Sequence, residues 1–239
     1  MNIAIIIPAY NEERNIIKLI KEIKKYIKPT IVIVDDSNNN LTKDLFKKKR
    51  NNIHYFHRTG KKGRGSAVIY GLKKILKKRK FDIFIEMDAD MSHKPSELVR
   101  NINYFKKNSL DMLISSRYLK TSIIRNWSIS RKFLSYLSNK LARFLLEVPA
   151  SDYTNGYRIY SKRAAKIIVK KCGRIGDGFI VLSEILLTIS KSNYKIGEID
   201  SIFINRERGS SSVSFVLVLQ SLYGLFKLYI KNKNKILGI

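Results

Sequence analysis

Carboxylates gather where three apolar runs stop. Ile3–Ile7 leads into Pro8-Ala9-Tyr10-Asn11-Glu12, Ile31–Val34 ends in Asp35-Asp36, and Phe81–Met87 ends in Asp88-Ala89-Asp90 with Ser92 close behind. The chain carries 19 acidic residues against 47 Lys and Arg, a formal charge of +28, so acids grouped this way call for a reason. Crowded carboxylates need a compensating cation or hydrogen-bond donors. A divalent metal with hard oxygen ligands, Mg²⁺ or Mn²⁺, meets that need and also binds a diphosphate. A lone Asp-x-Asp is more often a turn or a helix cap. Three acidic strand ends in order carry more weight.

The elements that must position these groups alternate. Ile3–Ile7 is a continuous apolar run of the kind buried on both faces of a sheet, and Ile16, Ile17, Leu19, Ile20, Ile23 and Ile27 then recur at helical spacing. Strands follow at Ile31–Val34, Ile53–Phe56, Phe81–Met87 and Leu110–Ser115, with helices at Leu41–Arg50, Ser66–Leu76 and Ser96–Phe105 between them. This order predicts an α/β fold with a mostly parallel sheet and helices on both faces. In such sheets ligands bind beyond the carboxyl ends of the strands, where the acids lie. A long helix is expected at Ile129–Leu146, and short strands near Tyr157–Tyr160 and Lys195–Asn205. With no repeat and no Pro- or Gly-rich linker, one catalytic domain over residues 1–212 is the simplest division, followed by a compositionally distinct 213–239.

The positive charge favours polyanionic partners: nucleic acid, an anionic bilayer or diphosphate-bearing substrates. Its wide spread, with abundant Lys, Ile and Asn, also fits a general compositional bias. Cys172 is the single cysteine, which excludes an intrachain disulfide and a thiolate metal cluster. The opening residues do not read as a signal peptide. No recognition helix, zinc finger or aromatic-interleaved basic motif supports nucleic-acid binding, and acids at strand ends would repel phosphate without a metal. Nucleic acid is therefore not an expected partner.

An ordered series of motifs resembles the family-2 glycosyltransferases of GT-A type (Rossmann-like), and within them the dolichyl-phosphate mannose synthases and their polyprenyl-phosphate relatives. The series is Pro8-Ala9-Tyr10-Asn11-Glu12-Glu13-Arg14-Asn15, Val34-Asp35-Asp36-Ser37, Gly63-Arg64-Gly65-Ser66-Ala67 and Met87 to Pro95. It continues through Ser116-Arg117-Tyr118, Asp152 to Arg158, and Gly178-Phe179 leading to Glu184. The resemblance implies that Pro8, Tyr10 and Glu12 hold the nucleotide beside Val34 and Ala89. Asp36 would read the base edge, and Asp88 and Asp90 would serve the ribose and the metal, with Asp90 the more direct ligand. Ser92 takes the third metal-side position. Arg117 and Arg206 are similar to phosphate-binding arginines, and Arg131 and Ser135 fall where the family places ligands of the acceptor phosphate. Their i,i+4 spacing puts both on one helical face. Two departures bear on the donor: Asn205 stands where many relatives carry Asp, and Ser212 replaces a diphosphate-contacting Lys.

The implied reaction is inverting transfer of a hexose, foremost mannose from GDP-mannose, to a polyprenyl or dolichyl monophosphate. The rival is another nucleotide sugar, UDP-glucose or a UDP-N-acetylhexosamine, with a lipid-phosphate or glycan acceptor. Asp152 is the best spare carboxylate for a base, though a structural role in its loop is favoured, as it is for His93. Val213–Ile230, trailed by Lys231, Lys233 and Lys235, reads as an amphipathic interfacial helix, with a single membrane anchor or a core helix as alternatives. The resemblance thus implies a membrane-associated enzyme whose active site faces the cytoplasm.

Overall fold

A computed structural model describes residues 1–48, 50–60, 62–78, 80–205 and 215–237, with the side chains of 215–219 and 234–237 left aside. Arg206, Arg208, Ser212 and Val213 lie outside these residues. In chain order the elements are β1 (Ile3–Ala9), α1 (Glu13–Tyr26), β2 (Thr30–Asp35), α2 (Leu41–Leu45), β3 (Ile53–His57), α3 (Arg64–Leu76) and β4 (Ile83–Glu86). A 3₁₀ turn (Pro95–Glu97) precedes α4 (Leu98–Lys107), β5 (Met112–Ser116), β6 (Ile123–Arg125) and α5 (Ile129–Leu146). Then come β7 (Arg158–Ser161), α6 (Lys162–Lys171), α7 (Ile180–Ser190), β8 (Ile196–Asp200), β9 (Ile202–Ile204) and α8 (Phe215–Leu237).

Seven strands form one sheet in the order β3-β2-β1-β4-β7-β5-β8, and β6 pairs with β9 in a small second sheet. Pairing in the large sheet is parallel except around β7, which runs antiparallel to both β4 and β5. The sheet is therefore mostly parallel, as expected. Alternation along each strand splits the core in two. Ala4, Ile6, Val32, Val34 and Phe84 face α3, α6 and α7, while Ile5, Ile7, Ile31, Ile33 and Ile85 face α1 and α4. Each of these Ile, Val and Phe side chains, once buried, contributes roughly 1.5–3 kcal/mol. On α1 the buried Ile16, Leu19, Ile20 and Ile23 follow the i, i+3, i+4, i+7 pattern that places one stripe on the sheet.

Several elements differ from expectation. The helix expected over Leu41–Arg50 stops at Leu45, where Phe46 leaves the helix and stacks on Tyr55 of β3 with ring centroids 5.3 Å apart. The strand expected over Lys195–Asn205 is two, because at Ser201 the chain turns onto Glu97. There the Ser201 hydroxyl and the Ile202 amide donate to the Glu97 carboxylate at 2.7 and 2.8 Å. Helices α6 and α7 fill a stretch that sequence patterning left undivided. The C-terminal helix is present but sits on the protein: Leu225 and Leu228 are buried, and it packs against α5 and α7. Among the described residues no helix is long and apolar enough to cross a membrane.

The start of α3 comes unusually close to α7. A Cβ on Gly65 would collide with the Val181 side chain and stand 2.6 Å from the Gly178 carbonyl oxygen. Gly65→Ala is expected to cost about 1–3 kcal/mol through overpacking, read as a lower urea-unfolding midpoint at unchanged slope.

Candidate functional site

Strands β1, β2, β4 and β5 run parallel in sense, so their carboxyl ends share one edge of the sheet. That edge carries Pro8 to Glu12, Asp35 and Asp36, Asp88 to Ser92, and Ser116 with Arg117. The first two strand ends are tied together, with the Asp36 amide donating to the Ala9 carbonyl at 3.0 Å and the Asn11 amide to the Ser37 hydroxyl at 2.8 Å. Pro8 and Val34 are themselves a register pair. Glu12 precedes α1 and accepts a 2.7 Å bond from Asn15. Asp36 is buried, and Arg58 grips both its oxygens at 2.7 and 2.6 Å while the Lys62 amide adds a third bond. Sequence reading missed Arg58, because it lies in a loop with no spacing relation to Asp36.

Beyond β4 the chain makes a tight loop. Met91 takes a left-handed backbone (φ 66°), a conformation that costs a residue with a Cβ roughly 1–2 kcal/mol. It lets the Ser92 amide donate to Asp90 Oδ1 at 3.1 Å. The loop is anchored from beneath by His93, which is buried and stacked on Tyr157. The Asp88 amide donates to His93 Nδ1 at 3.2 Å, and Nε2 lies 3.0 Å from Asn155 Oδ1. The Nε2-protonated tautomer satisfies both bonds. His93 thus braces the loop, in line with the structural role favoured for it.

A cleft opens over this edge and is lined by Asp88, Asp90 and Ser92 on one side and by Arg117, Arg131 and Ser135 on the other. Arg131 and Ser135, on α5, are therefore brought to the same space as the Asp-x-Asp loop. Arg131 donates to Asn205 Oδ1 at 3.1 Å, so a neutral acceptor steers it, and its guanidinium stacks on Trp127 with 4.3 Å to the ring centroid. The Ser135 hydroxyl accepts a 2.6 Å bond from Tyr118. Trp127 also lies 5.4 Å from the Arg117 guanidinium, so one indole contacts two cations. Arg206, expected to join them, lies outside the described residues. Along the helices the lining is mostly apolar, with Leu134 and Ala142 of α5, Ile180 of α7, and Leu222 and Leu225 of α8, interspersed with Ser138, Ser183 and Ser221. Glu184, on α7, instead accepts from the Gly173 and Arg174 amides, and burial pushes its carboxyl above the usual range.

One atom in the cleft wall bears on a metal. The Ser92 hydroxyl is buried and without a partner, an arrangement that a coordinated cation or its water would resolve. Among the described residues there is no group of three His, Cys, Asp or Glu able to enclose an ion. A hard cation held by one or two carboxylates and completed by substrate phosphate suits such a donor set.

Asp152 is not poised as a base. Its carboxylate accepts from Arg117 Nε and Nη2, both at 2.8 Å, and from the backbone amides of Arg117, Thr154 and Asn155. Burial pushes its pKa up, but the adjacent guanidinium and these donors outweigh that and hold it below the usual carboxylate range. Arg117 mirrors this: burial disfavours its charge, and Asp152 more than restores it. The Asp152 carboxylate therefore stabilises the fold fully above the ordinary carboxylate pKa, and that stabilisation is lost as pH falls through the depressed one. Asp152→Asn strands a buried guanidinium and is expected to cost about 3–5 kcal/mol at neutral pH. Urea unfolding across pH 2–7 should also show a flatter acid limb in the variant, with the two proteins converging at low pH.

A family model, Glycosyl transferase family 2, matches residues 4–168. Polyprenol monophosphomannose synthase of Mycolicibacterium smegmatis is 30% identical over 224 residues, covering 92% of this chain and 83% of the relative. Undecaprenyl-phosphate mannosyltransferase of Micrococcus luteus is 30% identical over 219 residues, covering 90% and 88%. Among solved structures, glucosyl-3-phosphoglycerate synthase from Mycobacterium tuberculosis in complex with UDP shares the fold, with a TM-score of 0.67 at 14% identity, covering 95% of this chain and 80% of that one. The same enzyme has been captured with Mn²⁺, UDP and glucosyl-3-phosphoglycerate, and that complex overlays with a TM-score of 0.66. The sheet whose carboxyl edge gathers the acids, the cleft above it and these matches agree: the chain belongs to the family 2 glycosyltransferases.

Proposed function

We propose that the protein transfers a hexose, foremost mannose from GDP-mannose, with inversion onto the phosphate of a polyprenyl or dolichyl monophosphate at the cytoplasmic surface of a membrane. The observation that carries this reading is the composition of one cleft. Its carboxylate side and its arginine side face each other, and its floor continues into apolar helix faces. A nucleotide-sugar diphosphate suits the first, a phosphate the second, and a polyprenyl chain the third. The names of the two 30%-identical relatives support the acceptor and the sugar.

In this reading Pro8, Tyr10, Glu12, Val34, Asp36 and Ala89 surround the nucleotide, and Asp88 orients the ribose. Asp90 and Ser92, with Asp88 beside them, would hold the divalent metal, Mg²⁺ or Mn²⁺. The metal, when bound, supplies Lewis-acid neutralisation of the departing diphosphate. Arg131 and Ser135 orient the acceptor phosphate, and Arg117 presents Nη1, the nitrogen outside its pairing with Asp152. Arg206 is assigned to the donor diphosphate. A phosphate oxygen attacks the anomeric carbon as the bond to the diphosphate oxygen breaks on the opposite face, giving lipid-phosphate sugar and nucleoside diphosphate. No base is required, since the nucleophile is already an anion. That fits a cleft whose acidic lining, among the described residues, is Asp88 and Asp90.

Membrane association rests on α5 together with α8, and so extends the sequence expectation, which centred on the C-terminal segment. Residues 1–212 form the catalytic unit, and 213–239 add to the membrane-facing side. Ile129 (86% exposed), Phe133 (67%), Leu137 (52%) and Phe144 (78%) share one outer face of α5, opposite the buried Asn139, Ala142 and Leu146. Tyr223, Phe226 and Ile230 extend the patch onto α8. A helix with an exposed apolar stripe that carries Lys140 and is bordered by Lys132 and Arg143 suits the boundary between headgroups and acyl chains.

Two outcomes test the reading. Asp90→Ala should abolish Mg²⁺- or Mn²⁺-dependent transfer of labelled mannose from GDP-mannose to polyprenyl phosphate, a loss of at least about 10²-fold for removal of transition-state charge stabilisation. Full activity in that variant, or transfer from UDP-glucose alone in the wild type, refutes the assignment. Phe133→Asp/Phe144→Asp should remove the protein from the floating fraction in flotation with phosphatidylserine-containing vesicles. Unchanged flotation excludes α5 as the contact.

A further inference from the structure

Arg64 lies beneath the cleft rather than in it. It is the first residue of α3, its side chain is 13% exposed, and its guanidinium spans three acceptors. Nε donates to Asp88 Oδ1 at 2.6 Å, Nη1 to Glu86 Oε1 at 2.5 Å, and Nη2 to the Gly156 carbonyl at 3.3 Å. Glu86 is fully buried and takes a further 2.7 Å bond from the Tyr160 hydroxyl. The space for the guanidinium is built in, because a Cβ on Gly156 would collide with Nη2. One cation thus serves two carboxylates from the end of β4, and one of them is the first acid of the Asp-x-Asp loop.

A divalent ion on Asp88 would either displace that bond at Oδ1 or, at Oδ2, share the carboxylate with a buried guanidinium, and both place a second cation beside Arg64, a like-charge arrangement that costs affinity. Asp88 therefore stays an oriented acceptor, and the protein alone offers a poor ion site. A diphosphate contributes oxygens and negative charge of its own, which offset the guanidinium. We propose that Arg64 is a positioning residue that withholds Asp88 from the metal, so that the ion enters with the donor's diphosphate and not ahead of it. This inference rests on the metal-assisted reading given above.

The test measures Mn²⁺ binding by electron paramagnetic resonance, with and without GDP, and needs no turnover. Arg64→Met/Glu86→Gln removes the guanidinium together with the buried charge it neutralises, while Tyr160 keeps an acceptor. Glu86→Gln alone retains the Arg64–Asp88 bond. The double variant is expected to bind Mn²⁺ without nucleotide about tenfold more tightly than wild type, the scale on which one more ligand charge moves divalent-cation affinity. The single variant should match wild type. A purely structural role for Arg64 would weaken binding, so equal or weaker nucleotide-free affinity in a double variant with native circular dichroism overturns the proposal. Should that variant fail to fold, Arg64→Lys, which cannot span both carboxylates, is expected to tighten Mn²⁺ binding about threefold, and no change there overturns it equally. If wild type binds no Mn²⁺ even with GDP, the metal-assisted reading fails and this inference falls with it. Ordinary Mn²⁺–GDP binding with unaltered variants sinks the inference alone.

Discussion

Negative charge buried at the edge of a sheet is costly unless each carboxylate meets a cation or hydrogen-bond donors, and at three places this chain supplies an arginine. Arg58 closes on Asp36 after β2, Arg64 on Glu86 and Asp88 after β4, and Arg117 on Asp152 beside β5. Removing either partner from such a pair leaves a desolvated charge, which is worse than never having buried it. The arginines come from loops and helix starts distant in sequence, so the pairs also fasten those loops to the sheet. The cleft keeps its shape because its acids are held, and its charge balance is set before any ligand enters.

The same economy separates the two halves of the cleft. The nucleotide side is made by strand ends and tight loops, with Met91 in a left-handed conformation and His93 wedged below as a brace. The acceptor side is made by helices, where Arg131 and Ser135 lie on the same stripe of α5 as Ala142 and Leu146, which reach the core farther along the helix. Helix α8 closes that side by packing Leu225 and Leu228 inward. Polar precision and apolar capacity are thus supplied by different kinds of element, meeting over β4 and β5.

Much of this was legible in the residues. Continuous apolar runs mark buried parallel strands, and the 3.6-residue recurrence marks α1, because burial on two faces or on one stripe leaves a local signature. The acids at strand ends point to the site for the same reason: they sit next to the elements that place them. The counter-charges were not legible. Nothing near Arg58 or Arg64 reveals that each meets a carboxylate more than twenty residues away. Helix α7 escaped notice because Ile180 to Leu187 is buried on every side, so it carries no polar stripe to give a period. The break between β8 and β9 depends on Glu97, over a hundred residues earlier in the chain. Local chemistry survives in sequence; tertiary pairing does not.

Trp127 is the sole tryptophan of the chain, and its ring lies within 4.3 and 5.4 Å of the Arg131 and Arg117 guanidinium groups in the cleft lining. Two guanidinium charges close to its ring act on the indole's field, and an anion bound by either arginine changes that field. The protein therefore carries an intrinsic optical reporter at the place where its second substrate is proposed to arrive, readable in the unlabelled molecule.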